Sequence, residues 1–83
     1  MTEEELEMAL LIGTARMGPY LEQVSDRDCF WRVRCMICDQ AFCLGDSYFW
    51  VWFTSGGAAR AHLKCISPLN VVHFQTLSRG GSA

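Results

Sequence analysis

A small α+β fold is predicted, a β-hairpin flanked by an N-terminal amphipathic helix and a short C-terminal helical element, and three features of the 83 residues predict it. Thr2 followed three residues later by Glu5 opens a helix. Residues 47–54 alternate as a strand and run into Ser55-Gly56-Gly57, a hairpin turn. Cys35-x-x-Cys38 is matched, after twenty-three residues, by His62-x-x-Cys65, so the two pairs bracket the hairpin.

Two cysteines separated by two residues on a tight turn aim both sulfurs at one point. A matching His-x-x-Cys supplies the other half of a tetrahedron, the arrangement that divalent zinc takes in structural sites. Cys35, Cys38, His62 and Cys65 are therefore expected to hold one structural Zn2+ ion. A chain of this length buries only about 60% of its unfolded surface and lies near the limit of independent stability. Structural zinc adds on the order of 10 kcal/mol of apparent binding free energy, which the unfolded chain forfeits.

Taken in order, Glu3, Glu4 and Glu5 suit the positive end of a helix dipole. Leu6, Leu10, Gly13 and Met17 recur on one helical face, and Arg16 with Gly18-Pro19 supplies a basic last turn and a stop, which places the helix at about residues 3–17. Met8, Leu11 and Ile12 widen its apolar arc; a helix lying across a small sheet needs that width, and a homodimer or partner groove would also use it. Residues 20–25 read as a turn of helix, and Ser25-Asp26-Arg27-Asp28 as a polar loop. Residues 29–34 set Trp31 and Val33 opposite Arg32 and Arg34, a strand leading into the metal turn.

Asp39-Gln40 completes that turn and Leu44-Gly45-Asp46 makes another; after the hairpin, residues 58–61 return as a strand. His62 should start a helical turn, re-aimed at Ser67-Pro68, where Ser fits an N-cap and Pro the first helical position. Leu69, Val71, Val72 and Leu77 make a helical face, although residues 71–74 also suit a strand. The expected organisation is one domain over residues 1–77, with the zinc hairpin at 29–66, and a flexible tail at 78–83.

Five cysteines also raise a disulfide framework. The number is odd, however, and the acidic Met1-Thr2-Glu3-Glu4-Glu5 is unlike a secretory leader, so a reducing interior, cytoplasmic or nuclear, is expected. The longest uncharged apolar runs, 8–12 and 48–53, are far short of the roughly 20 residues that span a bilayer, so no membrane role is expected. The net charge of −2 is uneven: residues 1–28 carry seven acidic groups against two basic, residues 29–83 five basic against two acidic. The metal-bearing part is thus mildly basic, not a strong trap for polyanions.

A Cys-x-x-Cys turn, then a hairpin, then a helical turn with His-x-x-Cys resembles the treble-clef class of zinc fingers, and the resemblance covers residues 35–65. Within it, Cys35-x-x-Cys38, Gly45-Asp46-x-Tyr48 and Ala61-His62-Leu63-Lys64-Cys65 look like the first zinc module of a LIM domain and, more loosely, the PARP-type finger. The resemblance implies a binding module, since LIM modules mostly hold protein partners and PARP-type fingers hold broken DNA. After Cys65 only His73 remains as a ligand type, so one module is expected. Cys29 and Cys43 are left over, either as replacement ligands or as small buried hydrophobes.

On the hairpin strand, Tyr48, Trp50 and Trp52 share one face and Phe49, Val51 and Phe53 the other. If the N-terminal helix supplies the second cover, all six are core; otherwise the Tyr-Trp-Trp row is a partner surface with Arg32, Arg34 and Arg60 as its polar rim, and a protein partner is expected. The alternative is nucleic acid, with Arg32, Arg34, Arg60 and Lys64 on phosphates and a tryptophan stacked on a base. Catalysis is not expected: a closed four-ligand site cannot activate water, HNH-type nucleases on the same scaffold need a free catalytic histidine, and His73 has no carboxylate partner evident in sequence.

Overall fold

The computed structural model describes residues 1–80. Helix α1 (Glu3–Ile12) is followed by strand β1 (Ala15–Gln23), the short helix α2 (Asp26–Phe30), the hairpin β2 (Ser47–Phe53) and β3 (Ala58–His62), a 3-10 turn (Leu63–Cys65), and helix α3 (Val71–Gly80). The strands form one antiparallel sheet in the order β1-β2-β3. Among the described residues no helix is long and apolar enough to cross a membrane.

Helix α1 starts as expected. The Thr2 hydroxyl accepts from the Glu5 N–H and the Glu5 side chain accepts from the Thr2 N–H. It ends five residues earlier than the 3–17 expectation, because Gly13 takes φ 84, a left-handed conformation that stops a helix, and its N–H is donated to Ala9 O. Residues 15–23, expected to close one helix and begin another, are instead the first strand. Gly18-Pro19 does not stop a helix: the β1–β2 register runs from Ala15 opposite Phe53 to Met17 opposite Val51 and resumes at Leu21 opposite Phe49. Gly18, Pro19 and Tyr20 thus bulge opposite Trp50 alone, the kind of place where proline and glycine are tolerated in a sheet.

The strand expected at 29–34 is also absent. Ser25 and Asp28 form a second capping box, which turns the expected polar loop and the first residues after it into α2. Trp31 and Phe30 consequently stand in solvent, and Arg32 adopts φ 53 as the chain leaves the helix. The hairpin and the helical turn after His62 form where expected. The C-terminal element is helical, and it extends through Ser78 to Gly80, past the start of the expected tail; residues 81–83 of that tail lie outside the described residues. The Ser78 hydroxyl accepts from the Met17 N–H at 2.8 Å and lies 3.3 Å from Met17 O, tying α3 to β1.

Alternation along β2 divides the apolar residues between the two sheet faces. Phe49 and Val51, with Met17 and Ala61, meet Leu6 and Leu10 of α1, Ile66, and Phe74 of α3 in the main core. On the opposite face Tyr48 packs with Val24, Cys35 and Phe42, a second, smaller core beneath the segment that joins α2 to β2. That segment is held to the sheet by the Met36 N–H, donated to Arg60 O at 2.9 Å, and by a bridge between Cys35 and Arg60.

Candidate metal centre

The turn carrying Cys35 and Cys38 is closed by the Asp39 N–H, donated to Cys35 O, and by the Cys35 N–H, donated to Gln40 O. Asp39 sits at φ 59, a conformation in which aspartate is more readily tolerated than most side chains. His62 is the last residue of β3 and Cys65 the last of the 3-10 turn, so the hairpin delivers one pair of ligands to the other.

The four donor atoms lie within 4.8 Å of one another. Cys35 Sγ is 3.8 Å from Cys65 Sγ, and His62 Nδ1 is 3.4 Å from Cys38 Sγ and 3.7 Å from Cys65 Sγ. A tetrahedron with zinc bond lengths of about 2.3 Å to sulfur and about 2.0 Å to nitrogen has edges of roughly 3.5–3.8 Å. These three separations are close to such edges, so the cluster could hold a tetrahedral metal ion, and all five cysteines are free thiols.

The surroundings of Cys35 suit a thiolate. Burial pushes the Cys35 thiol up, but the N–H groups of His62, Cys38 and Ile37 outweigh it and bring the thiol below its ordinary value. Two of those amides, of Ile37 and His62, are each 3.3 Å from Cys35 Sγ. Cys65 is pushed up to about 12 by burial and by the neighbouring Cys38 and Cys35. Burial also holds the His62 imidazole below its ordinary value, with Lys64 adding to the effect and Asp46 opposing it.

His62 is fully buried, with its ring 4.1 Å from that of Phe42. Its Nδ1 faces the sulfurs while its Nε2 lies 3.3 Å from Asp46 Oδ2, close to the carboxylate though not in a well-aligned hydrogen bond. Asp46 is itself fixed by the Cys43 N–H at 2.9 Å, which holds its carboxyl below the usual range. A carboxylate behind a ligating histidine sets which ring nitrogen is free for the metal. Sequence reasoning had Asp46 as a turn residue and as part of the Gly45-Asp46-x-Tyr48 likeness, with no role behind His62; its spacing from Cys43 and His62 carries no signal until the loop is folded.

No protein-family model, curated protein or solved structure matches the chain.

The leftover cysteines stand apart from the quartet. Cys29 Sγ points at Phe42 O, 3.8 Å away, and burial followed by Asp26 pushes its thiol up, the reverse of what activates a nucleophile. Cys43 is exposed. His73 does have a carboxylate partner, Glu7 on α1 at 3.1 Å, which separation in sequence concealed; both groups are about half exposed.

The surface residues separate into two groups. Tyr48 is 5% exposed and belongs to the smaller core, because the segment ahead of β2 folds over it. Arg60 is paired with Asp28 at 2.6 Å and lies over the rings of Tyr48 and Trp50, 5.0 and 4.4 Å from their centroids. Trp50 is half-buried and Trp52 is 52% exposed, the two rings stacked at 5.6 Å. Arg32, Arg34 and Lys64 are exposed, with Arg34 3.7 Å from Asp39. Tyr20 and Glu22, which sequence reasoning did not single out, flank the tryptophans across β1.

Proposed function

We propose that this chain is a zinc-stapled interaction module of treble-clef type, in which the ion is structural and a protein partner is gripped by the tryptophan step of β2. The metal part of the reading rests on the Cys3His cluster and the closeness of its four donor atoms. Soft thiolate ligands with one imidazole favour zinc over harder divalent ions. The order of turn, hairpin and helical turn around the cluster supports the treble-clef assignment, and with it the likeness to LIM-type and PARP-type modules.

The observation that carries the interaction reading is the stacked Trp50–Trp52 pair, left half open where Phe49 and Val51 on the other face are covered. Tryptophan is among the residues that dominate interface energetics. Tyr48 and Arg60 then act as the support beneath and beside these anchors, and Arg32 and Arg34 as an outer rim. A nucleic-acid reading has less to draw on, since Arg60 is engaged by Asp28. A closed four-ligand centre supplies no open position for substrate, so the role is binding, as adaptor or inhibitor.

Affinity capture from lysate with the wild type and with Trp52→Ala, each with and without nuclease, tests this. Specific proteins retained by the wild type, lost with Trp52→Ala and indifferent to nuclease are expected. Capture that disappears on nuclease treatment, or that Trp52→Ala leaves unchanged, refutes it.

A further inference from the structure

Across the sheet from Trp50, β1 presents Gly18, a position without a side chain. A Cβ there would meet Trp50 Cβ and O at 3.4 Å. This leaves a groove beside the indoles, walled by Pro19 and Tyr20 of the bulge and by Trp52, with Glu22 at one end. Its volume, about 250 Å3, is below the roughly 300–1,000 Å3 of drug-sized pockets and suits one side chain. Tyr20 is 76% exposed, so the wall is open to an incoming chain.

The lining states the charge of its occupant. Three π-faces carry negative quadrupole potential, and the one acidic or basic side chain lining the groove is Glu22, whose Oε2 accepts from Trp50 Nε1. Arg16, opposite Trp52 on β1, is not among the lining residues. An anion, a phosphate included, would meet Glu22 and the ring faces, whereas a cation is favoured by both. Two stacked indoles inclined at only 24° offer flat surfaces, and a planar, weakly hydrated guanidinium matches them better than a compact ammonium. The fold already makes this pairing once, with Arg60 over Trp50 and held by Asp28.

Resting on the protein-partner reading above, we infer that this groove receives an arginine side chain of the partner, stacked on Trp52 and paired with Glu22. The groove repeats on the β1 side of the tryptophans what Arg60 and Asp28 do on the β3 side.

The test follows the indole N–H signals of the isotope-labelled, zinc-loaded chain during titration with an acetylated, amidated Gly-Arg-Gly peptide. Saturable shifts at Trp50 and Trp52, with Trp31 unmoved, are expected. The citrulline counterpart, similar in shape but uncharged, should bind at least about tenfold more weakly, and Glu22→Gln should weaken the arginine peptide by about the same factor with zinc content unchanged. Trp52→Phe should retain part of the affinity that Trp52→Ala removes. Equal affinity for the citrulline peptide, indifference to Glu22→Gln, or tighter binding of a Gly-Pro-Gly peptide or of oligothymidylate overturns the inference. Captured proteins lost with Trp52→Ala, together with no response to the arginine peptide, overturn it while leaving the protein-partner reading intact.

Discussion

Asp46→Asn separates what the carboxylate does for the metal from what it does for the loop. With His62 bound through Nδ1, the ring proton resides on Nε2, 3.3 Å from Asp46 Oδ2, and the metal's charge makes that proton a better donor. Asparagine keeps an oxygen for the Cys43 N–H, so the turn is retained while the negative charge behind the histidine is lost. Loss of such an outer partner typically lowers metal affinity about 10- to 100-fold. The Asp46 side chain is 25% exposed, so solvent screens the contact and the expected loss lies near the lower figure, about tenfold. Competition with a chromogenic zinc chelator at fixed pH measures it. Asp39→Asn is the control, since Asp39 is 82% exposed and its carboxylate lies by Arg34. Unchanged affinity in Asp46→Asn, or an equal loss in Asp39→Asn, would refute the assignment of Asp46 as the residue that orients His62.

Cys35→Ala or Cys65→Ala should lose stoichiometric zinc and the dispersed amide spectrum together, and retention of one zinc per chain at wild-type stability would exclude the quartet. Zinc affinity should rise with pH across the neutral range. The metal-free Cys65 thiol, pushed up to about 12, is protonated there, so binding must displace its proton, and each step toward alkali favours that displacement; affinity that stays constant from about pH 6 to pH 8 counts against it. Phe74→Ala should destabilise the zinc-loaded chain by about 3–5 kcal/mol in urea unfolding, because Phe74 is fully buried between α3 and the sheet. A loss below about 1 kcal/mol would show that α3 does not complete the main core.

What could be read from the sequence was what depends on neighbours along the chain. The α1 capping box needs only Thr2 and Glu5, the hairpin only an aromatic run and a glycine turn, and the metal cluster only two short spacings. What escaped depends on contacts across the chain or on an overlooked local pattern. β1 is a strand because Gly18 and Pro19 bulge opposite Trp50, a pairing no window over residues 15–23 contains. The Ser25–Asp28 box was legible in principle, but the apolar run after it, read with a two-residue period, pointed to a strand instead of α2. Tyr48 and Trp52 alternate identically in sequence, yet the segment before β2 folds over one and not the other. Asp46, Glu22 and Glu7 have roles defined by residues far from them in sequence.

The strand β3 has β2 on one side; on the other, the Cys35 turn occupies part of its hydrogen-bonding rim through the Met36 amide and Arg60 O. Chelation would therefore do more than loosen a loop. It would free the Arg60 carbonyl from the Met36 amide and lengthen the open edge of an aromatic sheet, a template for pairing between molecules. If the site is filled, removing the metal is accordingly expected to promote self-association together with loss of structure. On the opposite rim, Ser78 clasps Met17 and the bulge interrupts the ladder, a guard that needs no ion.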